Sequence, residues 1–247
     1  MNTYLAGTLW MVGVSIAALA VVVALRRWRR DSGPLVDISV LSAVFSLAGM
    51  LFAIVAAFVF IDVWSGAEEA RDVTYAEAEA AQLVAWSANG MPEPERAEMV
   101  RLSREYLREV VDREWPRQAG VSADEHAHGW QLVQRMHDIA TRNAEDAGDA
   151  PEVVESLLQA RQQRLALAGA RIGDATWFAL LAGAVLAGLP MFFFPFDRAL
   201  PQLALTATVA SMITLLLFTI QQIERPFAQD RVAPTAYEET LTRITPP

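Results

Sequence analysis

Residues 35–64 read LVDISVLSAVFSLAGMLFAIVAAFVFIDVW, and this stretch decides the fold. A helix needs about 20 apolar residues to cross ~30 Å of hydrocarbon. At 1.5 Å per residue this one would run about 45 Å, so it must tilt or project beyond the bilayer. Beyond Trp64 only Gly66 interrupts an Ala- and Glu-rich, proline-free sequence that reaches Ala88. The spacing therefore predicts one helix that leaves the membrane and runs on into a polar region, joining the two.

Three further stretches match it in character. Residues 4–25, 175–194 and 200–223 are apolar and close to span length, whereas residues 65–174 are as charged as a soluble protein. The expected fold class is an all-α membrane protein. Transmembrane helices 1 and 2 (residues 1–64) and 3 and 4 (175–224) flank a polar helical bundle (65–174), and a tail follows (225–247). Pro190 predicts a kink in the third span. No basic segment precedes residue 4 and no small-residue cleavage pattern comes before Arg26, so the first stretch is expected to be retained as an anchor.

The side on which the polar domain lies is a contest between charges. Arg26, Arg27, Arg29 and Arg30 would hold the loop between the first two spans in the cytoplasm and put the polar domain outside. Arg161, Arg164 and Arg171, before the third span, pull the other way. A multi-pass protein of the cell membrane is expected in either case.

Composition excludes several functions. The formal charge is −9 and every basic residue is Arg, which leaves no basic face for nucleic acid. With no Cys there is no disulfide, thiolate metal site or cysteine nucleophile. His126, His128 and His137 stand beside Asp124, Glu125 and Asp138, but helical geometry puts the first two about 200° apart and the first and third about 16 Å apart. No metal and no cofactor are expected. The carboxylate pairs Glu68-Glu69, Glu77 with Glu79, and Glu238-Glu239 have no nucleophile beside them and read as solvated faces. No enzymatic activity is expected, as no hydrolase, kinase or nucleotide-binding motif is present.

Within the polar region, Met99, Leu102, Tyr106 and Val110 recur at helical spacing, as do Trp130, Val133, Met136 and Ala140, and then Val154, Leu158, Leu165, Ala168 and Ile172. Turn signals at residues 89–92, 116–120 and 148–151 separate them. With the continuation of the second span this makes about four helices. The hydroxyls of Thr206, Thr208, Ser211, Thr214 and Thr219 in the fourth span are assigned to packing and to bonds with their own backbone.

The second span carries two stripes. Phe45, Phe52 and Val59 stand seven apart with Ala48 and Ala56 between them, and Asp62 lies just beyond. Gly49, Ala53 and Ala57 form a neighbouring small-residue stripe that permits close helix approach. One reading is packing alone. The other is that in a homo-oligomer Phe45, Phe52, Ala56 and Val59 line a central passage as a hydrophobic constriction, with Asp62, Glu68 and Glu69 as acidic groups at its mouth.

Several short motifs, in order and spacing, resemble a bacterial family of unknown function described as bestrophin-like. They are Val63-Trp64, Ala67-Glu68-Glu69-Ala70, Glu77-Ala78-Glu79-Ala80, Arg96, Tyr106, Val110, Asp112, Glu114-Trp115-Pro116, Arg161, Arg164-Leu165, Trp177 and Arg225-Pro226-Phe227. The resemblance implies two spans on either side of a helical domain and distant kinship with bestrophin ion channels. Those are homopentamers whose second transmembrane helix lines the pore, and position carries that role onto Phe45, Phe52, Ala56 and Val59. Ions, the lipid bilayer and further copies of the chain are the implied partners. The chain departs from those channels at three points. Their domain is cytoplasmic, opposite to the reading of Arg26 to Arg30. Their acidic calcium clasp has only Glu238-Glu239 as a counterpart. They are best known for anions, whereas Asp62, Glu68 and Glu69 favour cations. A membrane-anchored sensor, or an assembly protein without a conducting pore, is the competing expectation.

Overall fold

The structure is a computed structural model and describes residues 3–28, 37–117, 126–193, 199–224, 227 and 232–244. Among these the chain forms α1 (Thr3–Trp28), α2 (Ile38–Ser87), α3 (Glu95–Glu109), α4 (Ala127–Arg142), the single turn α5 (Ala144–Ala147), α6 (Ala150–Gly169), α7 (Asp174–Gly188), α8 (Ala199–Ile223) and α9 (Thr235–Ile244), with no strand. The protein is an all-α membrane protein. Two compact units divide the chain: residues 1–64 with 172–224, and residues 65–171 with 225–247.

The first unit holds the apolar helices. α2, α7 with the turn that follows it, and α8 are each long and apolar enough to cross a membrane. α1 has span length too, 26 residues, though its strongly apolar part is the shorter Val12–Ala24. α1 lies along α8, where Ser15 and Ser211 share a hydrogen bond of 3.0 Å. The Glu224 carboxylate, just past α8, accepts from the Ile172 amide at 3.1 Å and the Trp177 indole at 3.3 Å, and so holds the start of α7. α7 stops at Gly188 and tightens into a 3₁₀ turn over Leu189–Phe193 that contains Pro190, because proline lacks the amide that would continue the α ladder. α2 begins where the Asp37 carboxylate accepts from the Ser39 amide at 2.8 Å, as an N-cap does.

α2 is a single helix of 50 residues, about 75 Å at 1.5 Å per residue. In the second unit its buried residues are mostly small, Ala70, Ala78, Ala80, Ala81 and Ala85 with Val84, which permits close approach. Met99, Leu102 and Leu107 of α3, Leu132 and Met136 of α4, and Val154 and Leu157 of α6 complete this core. Gly148, which ends α5, has a φ of 57°, a left-handed turn that glycine adopts without strain.

The residues after Glu224, expected as a C-terminal tail, group with the polar helices. They belong to the second unit, where α9 buries Ala236, Tyr237, Thr240 and Ile244. Its end is held by Arg104, whose guanidinium donates to the Ile244 carbonyl at 2.5 Å.

Truncating a fully enclosed side chain of this core, Leu102→Ala, leaves a cavity and should lower the unfolding free energy of the detergent-solubilised protein by about 2–5 kcal/mol. The measurement is the denaturation midpoint. An unchanged midpoint would place Leu102 outside the core.

Candidate functional site

The stripe read from sequence lies on one side of α2 and is covered to different degrees. Phe52 is 8% exposed and Ala56 is 0% exposed within the chain itself, while Phe45 and Val59 are half-buried. Gly183 of α7 makes room for the Phe52 ring, for a Cβ added at that glycine would stand 3.1 Å from Phe52 Cδ2. The expected lining residues Phe52 and Ala56 are thus covered by their own protomer. Asp62, Glu68 and Glu69 are exposed.

An uncovered side of α2 carries Leu47, Leu51, Ile54, Phe58 and Ile61, with Phe58 70% exposed. At 100° per residue Phe58 stands about 120° around the helix from Phe52 and within about 40° of Leu51, Ile54 and Asp62. In the part of α2 that belongs to the second unit, Ser65, Glu69, Asp72 and Glu79 continue the same side, and all are exposed. This face is apolar as far as Ile61, and beyond it Asp62, Glu69 and Asp72 stand among small and polar residues.

The second unit also contains a charged cluster that the sequence did not suggest. Arg161 and Arg164, one turn apart on α6, are each 0% exposed. Arg164 donates to both Glu77 oxygens, at 2.6 and 3.1 Å, and to Glu114 at 2.7 Å. Arg161 donates to both Glu114 oxygens, at 2.6 and 3.2 Å, and to the His126 carbonyl at 3.1 Å. The Tyr106 hydroxyl donates to Glu77 and accepts from Arg161. Glu77, read as part of a solvated pair with Glu79, is fully buried; Glu79 alone is exposed. Arg161 and Arg164, counted as free charges flanking the third span, are likewise enclosed.

Local structure makes this geometry possible. α3 runs into a π turn over Val110–Glu114, and the wider turn brings Glu114 inward where its side chain is 1% exposed. Gly129 of α4 sits directly over the pair, since a Cβ there would collide with Arg161 and lie 2.6 Å from Glu114 Oε1. Arg161 also lies 5.4 Å from the Tyr106 ring centre and 5.1 Å from that of Trp130. Tyr237 of α9 closes the group, its ring 5.5 Å from that of Trp115.

Electrostatics keeps Glu114 and the two arginines charged. Burial pushes the Glu114 carboxyl up, but hydrogen bonds and charge from Arg161 and Arg164 outweigh it and leave the group below the usual carboxylate range. Burial likewise opposes charge on the two guanidiniums, yet Tyr106 and Glu114 around Arg161, and Glu77 beside Arg164, hold both above the ordinary arginine value. The Tyr106 and Tyr237 hydroxyls are raised, by burial first and the Glu77 charge second.

The histidines do not converge. His126 Nδ1 is 3.6 Å from Glu114, and His128 Nε2 is 3.7 and 3.9 Å from Glu105 and Glu109. Among the described residues no group of His, Cys, Asp and Glu stands close enough to hold a metal ion; Asp124 and Glu125 lie outside them. Glu238 and Glu239 are exposed on α9, Glu239 facing Arg243 at 3.6 Å.

Removing one partner of a buried pair strands the other charge. Arg164→Met should lower stability by about 3–5 kcal/mol, and adding Glu77→Met should restore a large part of it, as read from denaturation midpoints. An additive double variant would show that the two residues do not act as a pair. The sign of the pH dependence follows from Glu114, whose pKa in the folded protein lies below the ordinary 4.5. Its contribution is complete above that value and is lost as the pH falls below it toward the folded pKa. Acid melting curves should show this loss in the parent and less of it in Glu114→Gln.

A family model described as a bestrophin-like domain matches residues 9–234. No curated protein matches the sequence. Among solved structures, a variant of a bacterial bestrophin homologue from Klebsiella pneumoniae aligns with a TM-score of 0.71 at 14% identity, covering 99% of this chain and 97% of that one. Another variant of the same homologue gives 0.72 at 14%, covering 96% and 98%. A structure described only as a membrane protein gives 0.68 at 16%, covering 99% and 97%. At such identities the likeness is one of fold.

Proposed function

This chain belongs to the bestrophin-like family, and from that premise we propose that it assembles as a homo-oligomer in the cell membrane and conducts ions along an axis lined by α2. The observation that carries this reading is the uncovered side of that helix. Leu51, Ile54 and Phe58 are exposed in the single chain, and the same face continues into Asp62, Glu69 and Asp72. Apolar residues facing lipid would explain the first half alone. Carboxylates following on the same face suit a water-filled mouth beyond a hydrophobic ring.

In an assembly around this face, five copies being the number that kinship with bestrophins implies, Ile54 and Phe58 form a constriction that controls passage by wetting and dewetting. Asp62, Glu68 and Glu69 concentrate cations at its entrance. The lining read from sequence keeps its acidic members and exchanges Phe45, Phe52, Ala56 and Val59 for Leu51, Ile54 and Phe58. The chain crosses the membrane four times, on α1, α2, α7 and α8. Placement of the polar unit in the cytoplasm follows the kinship; the Arg26 to Arg30 cluster argues for the opposite side.

Flux from liposomes containing the purified oligomer tests the reading. Phe58→Ala should raise cation flux several-fold with little loss of stability. Phe52→Ala should instead lower the melting temperature, as a buried aromatic does when truncated. Asp62→Asn combined with Glu69→Gln should reduce the preference for cations over anions. Absence of flux of either sign from a verified oligomer would return the protein to the sensor or assembly reading.

A further inference from the structure

A recess of about 580 Å³ lies within the first unit, bounded by α1, α7 and α8. That size is typical of small-molecule sites. Trp10, Leu181 and Val185 at its edge are exposed, so it opens on the flank of the unit, where hydrocarbon surrounds the helices. None of the described residues lining it carries a charge.

One polar atom inside it is unexplained. Thr208, Thr214 and Thr219 on α8 each donate their hydroxyl to the carbonyl four residues back, at 2.7–2.9 Å, and Ser211 pairs with Ser15. Thr206 lines the recess, is 3% exposed, and its hydroxyl has no partner among the described residues. Burying a hydroxyl without a partner costs free energy that a helix avoids when it can. Water is a poor remedy, because an ordered water needs two to four polar partners. The other polar side chains of α8 in the lining, Thr214 and Gln221, stand about 12 and 22 Å farther along the helix.

We propose that this recess binds an uncharged amphiphile drawn from the bilayer, a long apolar chain with one hydroxyl or carbonyl group that pairs with Thr206. The uncharged lining excludes an ion or an ionised head group from the buried end. The apolar walls accept the chain, and the Thr206 hydroxyl supplies a single directional contact that sets the ligand's depth. The site is separate from the uncovered face of α2 and does not depend on conduction.

The test uses the full-length protein in phosphatidylcholine vesicles with two photoreactive probes, a diazirine-bearing long-chain alcohol and the matching alkane. Adducts are mapped by peptide mass spectrometry. The alcohol should label the α7 and α8 residues of the recess, and Thr206→Val should reduce that labelling several-fold while alkane labelling stays as it was. Ala210→Phe, which fills the recess, should abolish labelling by both. Equal labelling by the two probes, or alcohol labelling that Thr206→Val leaves unchanged, overturns the proposal. A recess that neither probe reaches also overturns it and assigns the space to a neighbouring copy. If Ala210→Phe fails to fold, the near-isosteric Thr206→Val alone decides.

Discussion

Two guanidinium groups enclosed without access to water, those of Arg161 and Arg164, set the terms for the polar unit. A buried charge is tolerated only when partners replace its hydration. Each partner comes from a different place in the chain: Glu77 from α2, Tyr106 from α3, Glu114 from the π turn after α3, and the His126 carbonyl from the start of α4. None of these elements can rotate or slide without stranding a charge. The cluster therefore fixes one arrangement out of the many that an Ala- and Leu-rich bundle could adopt. Apolar contacts alone supply attraction without direction.

The same constraint fixes the rotation of α2 in the polar unit. Glu77 must point inward, and the residues that share its side, Ala70, Val73, Thr74, Ala81 and Val84, are buried with it. Phe52, Ala56 and Val63 are the covered residues nearer the start of the helix, and at 100° per residue they fall on that same side. Within each unit α2 thus has a covered side. Glu69 and Asp72 are outward because Glu77 is inward. A carboxylate in this helix is structural or solvent-facing according to its angle, a distinction that composition does not make.

That angle explains what could be read from the sequence and what could not. Helix after helix was legible in the apolar runs and the 3.6-residue periods, including the unbroken passage of α2 beyond Trp64. The buried cluster was not, because Glu and Arg were treated as solvated by default. A signal did exist: Ala150, Val154 and Leu157 set a stripe whose next positions are Arg161 and Arg164, and the Ala70 to Val84 stripe passes through Glu77. A charge at a core position of one helix and its opposite at a core position of another is a pairing waiting to be read. The lining of α2 was ambiguous in the sequence for a different reason. Within an apolar span every face is apolar, so the seven-residue spacing of Phe45, Phe52 and Val59 marks a packing seam as readily as a passage. The neighbour across the seam, Gly183, supports packing at Phe52. α9 escaped notice because it is short and finds its partners, Trp115 and Arg104, more than a hundred residues upstream.

The surplus of negative charge bears on how copies could come together. The cluster consumes two Arg and two Glu, so it is neutral and leaves the whole formal charge of −9 to the rest of the chain. Part of that surplus lies on the uncovered side of α2, at Asp62, Glu69, Asp72 and Glu79. An assembly around this face would bring like charges from several copies toward one axis, and repulsion at such distances opposes association unless it is screened. Water and mobile cations between the carboxylates relieve it; a dry, closely packed seam would not. The acidic half of the face therefore favours a hydrated space along the axis and works against a sealed contact there. The apolar half, with Leu51, Ile54 and Phe58, carries no such penalty and can close. In the proposed assembly, that division of one side of the helix would set a narrow apolar ring beside a wider mouth able to hold cations.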